Sequence, residues 1–268
     1  MLVFFGNYFV RQASIAALLA SIVCGIVGTI IVEKKLVSMS GGIAHSSFGG
    51  IGLGYLLKFE PIIGGLGFSI IAAISIANIK RKTNTNADTL VGMFWSVGMA
   101  LGILFVSMMK GYPPDLNSYL FGQILLVSTD YIKIMGFLTS VIVLVIICFY
   151  RYWKAFLFDE EFAKVIGLPV LIFEYTLYIL IALSIVILIK VVGIILVIAL
   201  LTVPPAISKL FTYKLSYMML LSSLLGVLFS FGGLILSYYY DIPSGATIIL
   251  LSVASYMCVM LIKTRKRF

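Results

Sequence analysis

Charge is what this 268-residue chain has least of: only 11% of its residues are Asp, Glu, Lys or Arg, against 62% hydrophobic. An ordinary soluble domain carries about a quarter charged residues, so a globule of this length could not clothe itself in water with so few. That excludes a water-soluble enzyme, a secreted disulfide scaffold and a disordered chain. Histidine occurs once, at His45, and cysteine three times, at Cys24, Cys148 and Cys258. The cysteines all lie inside apolar runs without paired spacing, so neither a disulfide frame nor a thiolate metal site is indicated. A single histidine cannot build an HExxH zinc site, which removes a conventional intramembrane metalloprotease. There is no GxxxxGK(S/T) phosphate loop, and the loops are too short for a nucleotide-binding fold. If ATP is used, another chain must supply that machinery. No basic region precedes the first apolar stretch and no convincing small-residue cleavage site follows it, so a removable signal peptide is not expected.

What the chain does have is a succession of long apolar runs. A spanning helix needs about 20 mostly apolar residues. Nine candidates follow, at 10–32, 43–57, 61–79, 88–108, 131–150, 170–189, 193–208, 215–239 and 246–262. The second is short and glycine-rich, so the span number is eight to nine. The stretch 119–128 (YLFGQILLVS) is apolar but too short to span and is read as a re-entrant or interfacial helix. The expected architecture is an all-α, polytopic transmembrane bundle forming one domain over residues 1–268. The net charge of +9 is read as topology rather than nucleic-acid binding, because the charges cluster in short loops. With the N-terminus outside, fourteen of the 19 basic residues fall on one side and five on the other. The richer side is then cytoplasmic, and the C-terminus with it.

Five segments carry more than apolarity. In the second run, Gly42, Ser46, Gly50 and Gly54 recur every four residues and form a stripe that lets another helix approach closely. His45 lies beside that stripe, with Gly49 and Gly52 on its own face. It is either a histidine hydrogen-bonded inside a tightly packed helix or an intramembrane ligand, since neutral imidazole binds zinc- and manganese-like ions. Gly92, Ser96 and Ala100 form a second small-residue stripe in the fourth run, which Asp88 is placed to cap. Asp115 sits in GYPPDLNSYLFGQ on the expected outer side, either as a cap or as a carboxylate that attracts a divalent cation. Glu60, Asp130 and Asp241 share that side, as an acidic vestibule or as scattered solvated charges.

Between the fifth and sixth runs, FDEEFAKVIGLP reads as a short, well-punctuated helix over 159–167. Asp159 is its N-cap, Glu160 and Glu161 occupy the dipole-favoured first turn, and Gly167 with Pro169 stops it. Phe162, Val165 and Ile166 give it an apolar face, to rest on the membrane or to enter a partner protein. In the seventh run Pro204 and Pro205 would end the helix, or form a gating hinge near its cytoplasmic end. Glu174 is the main buried acidic candidate, near the cytoplasmic interface.

Taken in order, GGIAHSSFGGIGLGYLL, DTLVGMFWSVGMALGI, PDLNSYLFGQIL, FDEEFAKVIGLP, GIILVIALLTVPPAIS and IPSGATIIL resemble the permease subunits of bacterial and archaeal ABC importers for zinc, manganese and sometimes iron(II). The resemblance runs over about residues 10–262. It implies a permease homodimer in the cell membrane, each copy docked on a cytoplasmic ATPase, with an extracellular or periplasmic metal-binding protein delivering Zn2+ or Mn2+. No permanently bound cofactor and no nucleic acid are implied. The helix 159–167 would be the coupling helix, with Asp159, Glu160, Glu161, Phe162, Ala163 and Gly167 at the ATPase. His45 matches the family histidine linked to the ion path, and Asp115 matches an acidic position less closely. Two departures stand out: Gly41 where many members carry aspartate, and Gln123 where several carry an acidic residue. The alternatives are an ABC permease for a chelate such as cobalamin or a siderophore, and an ATP-independent secondary transporter.

Overall fold

The computed structural model describes residues 8–83, 86–110, 117–122 and 124–265. Among them the chain is helical throughout, with no strand. The helices are α1 (Tyr8–Glu33), α2 (Val37–Leu57), α3 (Pro61–Lys82), α4 (Ala87–Ser107), α5 (Asn117–Phe121), α6 (Thr129–Cys148), α7 (Tyr150–Phe158), α8 (Glu160–Val165), α9 (Val170–Val192), α10 (Ile194–Phe211), α11 (Leu215–Tyr240) and α12 (Ser244–Arg265). Eight of these are long and apolar enough to cross a membrane. The glycine-rich α2 is not among the eight, although at 21 residues it is as long as α4. It begins at Val37, six residues before the apolar run that announced it, because SMSGG continues a helix without adding hydropathy. The stretch expected to be too short to span is the five-residue α5 followed by a 3-10 turn at Ile124–Leu126.

Two compact units emerge from the contacts. The first contains α1, the 3-10 turn, most of α6, α10, α11 and α12. In lipid no hydrophobic force draws helices together, so tight van der Waals packing and buried hydroxyls hold them. The α1 sequence supplies both. Ala13, Ala16, Ala17 and Ala20 are buried, Gly25 lies against the backbone of Ser223, and Gly28 meets the Leu201 carbonyl and Pro205. The Ser21 and Ser230 hydroxyls are 3.3 Å apart across α1 and α11. At the basic end, Lys209 pairs with Glu33 at 3.1 Å.

The prolines require a correction to the expected end of the seventh run. α10 does not stop at them: Pro204 and Pro205 are interior and buried, and the helix continues to Phe211. Each lacks an N–H, so the Leu200 and Leu201 carbonyls lose their intrahelical donors. The Leu201 carbonyl abuts Gly28, where the missing side chain admits it. A second close approach joins Gly122 and Gly193, both with positive φ (73° and 80°). A Cβ on either glycine would overlap the backbone at the other.

The second unit holds α2, α3, α4, α7, α8 and most of α9. Here α2 packs on both α3 and α4, and its small-residue stripe is divided between them. Gly42 faces Val91 and Ser46 faces Gly98 on α4, while Gly50 abuts Gly64 and Gly54 abuts Pro61 on α3. Gly52 meets Gly102 on α4 as well. The other expected stripe is a correction. Gly92, Ser96 and Ala100 are exposed, and Leu90, Val91, Gly98, Gly102 and Val106 form the buried face of α4 instead. Four-residue spacing marks a stripe but does not say which side of the helix meets a neighbour.

The amphipathic α7 was hidden in the sequence at the end of the fifth run. Its Trp153, Phe156 and Leu157 are buried, at helical spacing, while Arg151 and Lys154 are exposed. Trp153 and Phe156 pack on Phe173 of α9, with ring centroids 5.2 and 6.2 Å away.

The backbone contact at Gly50 predicts a contrast. Gly50→Ala places a methyl group on the Gly64 carbonyl, which cannot retreat as a side chain would. The expected cost is about 1–3 kcal/mol, read as a lowered thermal midpoint of the purified protein in detergent. Gly92→Ala, in open space, should leave the midpoint unchanged or raise it. Equal midpoints for the two variants would contradict the packing described.

Candidate functional site

The only histidine of the chain lies in the middle of α2. Two features of α4 determine what it meets. Gly98 has no side chain, so α4 comes into backbone contact with α2 at His45 and Ser46. The Ser46 hydroxyl donates to Gly42 O at 2.7 Å and lies 3.0 Å from Phe94 O, fixing the register of the pair. The result is that Trp95 lies flat on His45. The ring centroids are 4.0 Å apart and the planes differ by 5°. The Nδ1 of His45 is buried and has no hydrogen-bond partner among the described residues. Gly49, on the same face, is filled from the other side by Phe68 of α3.

No group of three or more His, Cys, Asp or Glu side chains able to hold a metal ion occurs among the described residues. Asp115 and Gln123 lie outside the described residues. Of the other acidic residues expected on the outer side, Glu60 pairs with Lys190 at 3.3 Å and Asp130 with Lys133 at 2.8 Å. Asp241 caps α11 in a left-handed conformation. Two of these three carboxylates therefore already face a cation of the same chain. Glu174 receives a hydrogen bond from Tyr178 Oη at 3.2 Å and lies 3.6 Å from Arg81. The cysteines remain apart, Cys24 buried and Cys148 and Cys258 exposed.

The short helix α8 is built from its caps. Asp159 accepts from Phe162 N at 2.8 Å, satisfying one of the free N–H groups of the first turn. At the other end Gly167 adopts φ 78°, and Leu168 N donates to Ala163 O at 2.9 Å, closing the helix in the manner glycine permits. Ala163 is fully buried, whereas Phe162, Val165 and Ile166 are exposed, Val165 to 84%. None of the described residues covers that apolar face. Glu160 is ion-paired with Lys34, just after the end of α1, and the Lys34 ammonium also lies 4.0 Å from the centre of the Phe156 ring. Only 14% of the Lys34 side chain is exposed. Glu161 is exposed and has no ion pair among the described residues.

Two residues of these sites were not singled out by the sequence. Lys34 looked like one more topological charge, and nothing local ties it to a glutamate 126 positions away. Trp95 sits in a helix read from the sequence for its small-residue stripe and its cap. Its single signal is indirect: it lies three residues before Gly98, the glycine through which α4 touches α2.

The model of a family described as the ABC 3 transport family matches residues 7–263. An uncharacterised membrane protein of Synechocystis is 41% identical over 93% of this chain and 89% of its own. A protein of Halalkalibacterium halodurans named as the manganese transport system membrane protein MntC is 33% identical over 91% of this chain and 84% of its own. Among solved structures, PsaBC from Streptococcus pneumoniae in complex with a Fab superposes with a TM-score of 0.87 at 32% identity, covering 97% of this chain and 95% of that one. A metal-chelate type ABC transporter facing inward shares the fold alone, with a TM-score of 0.73 at 13% identity over 94% of this chain and 85% of that one.

The Lys34–Glu160 pair predicts a charge-swap pattern. Lys34→Glu should loosen α8, seen as faster amide hydrogen exchange across 159–168 in nanodiscs, and adding Glu160→Lys should restore protection. Slow exchange in the single variant would show that α8 is held by its caps and Ala163 alone.

Proposed function

The chain belongs to the ABC 3 transport family, and on that premise we propose that it is the membrane-spanning permease of an ATP-driven importer of divalent metal ions, with manganese the first cargo to test and zinc the second. The order follows from the relatives: the one named above for its cargo is named for manganese. The permease would act as one domain in a homodimer in the cell membrane, N-terminus outside and C-terminus in the cytoplasm. A cytoplasmic ATPase supplies the driving force, and an extracellular or periplasmic metal-binding protein supplies the ion. The chain itself hydrolyses nothing.

The observation that carries this reading is the pairing of an intramembrane imidazole with an uncovered apolar helix face. His45 has a buried Nδ1 with no hydrogen-bond partner among the described residues, so no structural hydrogen bond at that nitrogen accounts for an imidazole in this helix, and the ring is available to meet a passing cation through its other nitrogen. An imidazole nitrogen is a ligand that manganese, zinc and iron(II) all accept. Without two further His, Cys, Asp or Glu ligands among the described residues, His45 offers partial coordination, which binds an ion and then releases it. Asp115 would attract the ion at the mouth, where a carboxylate raises local cation concentration.

The α8 helix would take the force. Phe162 and Ile166, beside the more exposed Val165, present an apolar knob, and Glu161 is exposed at the first turn. Seated in an ATPase groove, the knob would be buried while Lys34 and the caps of α8 hold its base. Closure of the ATPase pair on nucleotide would move α8 and change which side of the membrane the ion path faces. Such a switch requires contacts that differ between the two states. The buried prolines of α10 would provide a compliant point, since two carbonyls there lack helical donors.

Uptake of radiolabelled manganese in a strain lacking its own importer tests the role of His45. His45→Ala at normal expression should cut uptake at least tenfold at limiting metal, and unchanged uptake removes it from the path. Glu161→Lys with Phe162→Ala should reduce co-purification of the ATPase. Full recovery of the complex and of transport-stimulated ATP hydrolysis would place the docking surface elsewhere.

A further inference from the structure

A histidine that binds a metal through one ring nitrogen is ordinarily oriented through the other, which donates to a carboxylate, a carbonyl or water. Among the described residues His45 has no such partner at its buried Nδ1. What it has is the indole of Trp95, parallel to within 5° at a centroid separation of 4.0 Å. The stack is not a chance surface contact. Gly98 brings the two helices to backbone distance, Ser46 reaches across to Phe94 O at 3.0 Å, and Trp95 directly follows Phe94. The backbone therefore delivers the indole to the imidazole face, and rotation of the imidazole out of its plane would drive it into the indole.

We infer that Trp95 is the positioning residue for His45, taking by ring stacking the part that a hydrogen bond usually plays. This rests on the proposed role of His45 in the ion path. The geometry suits the task. Imidazole lone pairs lie in the ring plane, so a stack covers one face and leaves both nitrogen edges unobstructed by the indole. A cation held at a ring nitrogen lies in a plane parallel to the indole, within the roughly 6 Å over which an aromatic face attracts cations. A hydrogen-bonded acceptor would also raise the basicity of the imidazole and tighten the metal bond. Stacking fixes the ring plane without that increase. The ligand is thereby oriented yet weak, as a site that must pass its ion onward requires.

The test uses the complete importer, permease with its ATPase and metal-binding protein, in proteoliposomes, with manganese as the probe. Trp95→Ala should raise the KM for manganese about tenfold, the low end of what losing an orienting partner costs, while Vmax at saturating metal stays within about twofold. Trp95→Phe, which restores a ring face, should recover most of the wild-type KM. A wild-type KM in Trp95→Ala, or a loss confined to Vmax that Phe does not rescue, overturns the inference. His45→Ala in the same assay separates the two claims. If it keeps the wild-type KM, the ligand role of His45 fails; if it is impaired while Trp95→Ala is not, only the positioning role fails. Should Trp95→Ala not fold, fluorescence of the purified permease decides. Paramagnetic Mn2+ should quench part of the tryptophan emission saturably, and that part should vanish in both Trp95→Phe and His45→Gln. Quenching that survives in His45→Gln overturns the stack as the site of binding.

Discussion

The second unit depends on how closely backbones can approach when side chains are removed between them. Along α2, glycine and serine at successive turns let α3 and α4 come into main-chain contact on different sides of one helix. In lipid this is the available currency of association, because apolar surface gains nothing by leaving the bilayer for another helix. The same contact sets the chemistry. Only because Gly98 has no Cβ does α4 reach the register at which an indole covers the sole imidazole of the chain. A stripe that reads as mere packing thus lies on the same helix pair that stacks an indole on the imidazole.

Several of the described charges in the two units pair with charges of the same unit. Glu33 pairs with Lys209 and Glu160 with Lys34, so consecutive residues at the end of α1 are tied, one to the end of α10 and the other to the base of α8. Arg81 and Glu174 add a further pair within the second unit. Exposed ion pairs contribute little to stability, but a mostly buried lysine that also covers an aromatic ring is a firmer attachment. The short helix is thereby presented on a fixed base with its apolar residues outward.

Much of this was legible in the sequence, and the exceptions share a cause. Apolar runs locate spanning helices because the bilayer imposes a length, and all nine expected runs coincide with helices. The caps of α8 were legible because Asp159 and Gly167 act on their own neighbours. Properties that depend on a second segment were not. Pro204 and Pro205 look like a stop until Gly28 is seen to accommodate the neighbouring Leu201 carbonyl. The stripe Gly92–Ser96–Ala100 has the right spacing on the wrong face of α4. Trp95 and Lys34 acquire meaning only from a residue distant in the chain. The aromatic helix α7 was missed for a different reason: its apolar members follow directly on a longer apolar run, so no boundary announces it.

The crossing of Gly122 and Gly193 has an evolutionary corollary. In most tightly packed pairs, an enlargement on one side can be answered by a reduction on the other, and a lineage can drift through compensated intermediates. Here each partner is already reduced to hydrogen and each needs a backbone conformation that other residues resist. Neither has anything left to concede, so second-site suppressors at the partner position are unattainable and the two turns must be inherited as one unit.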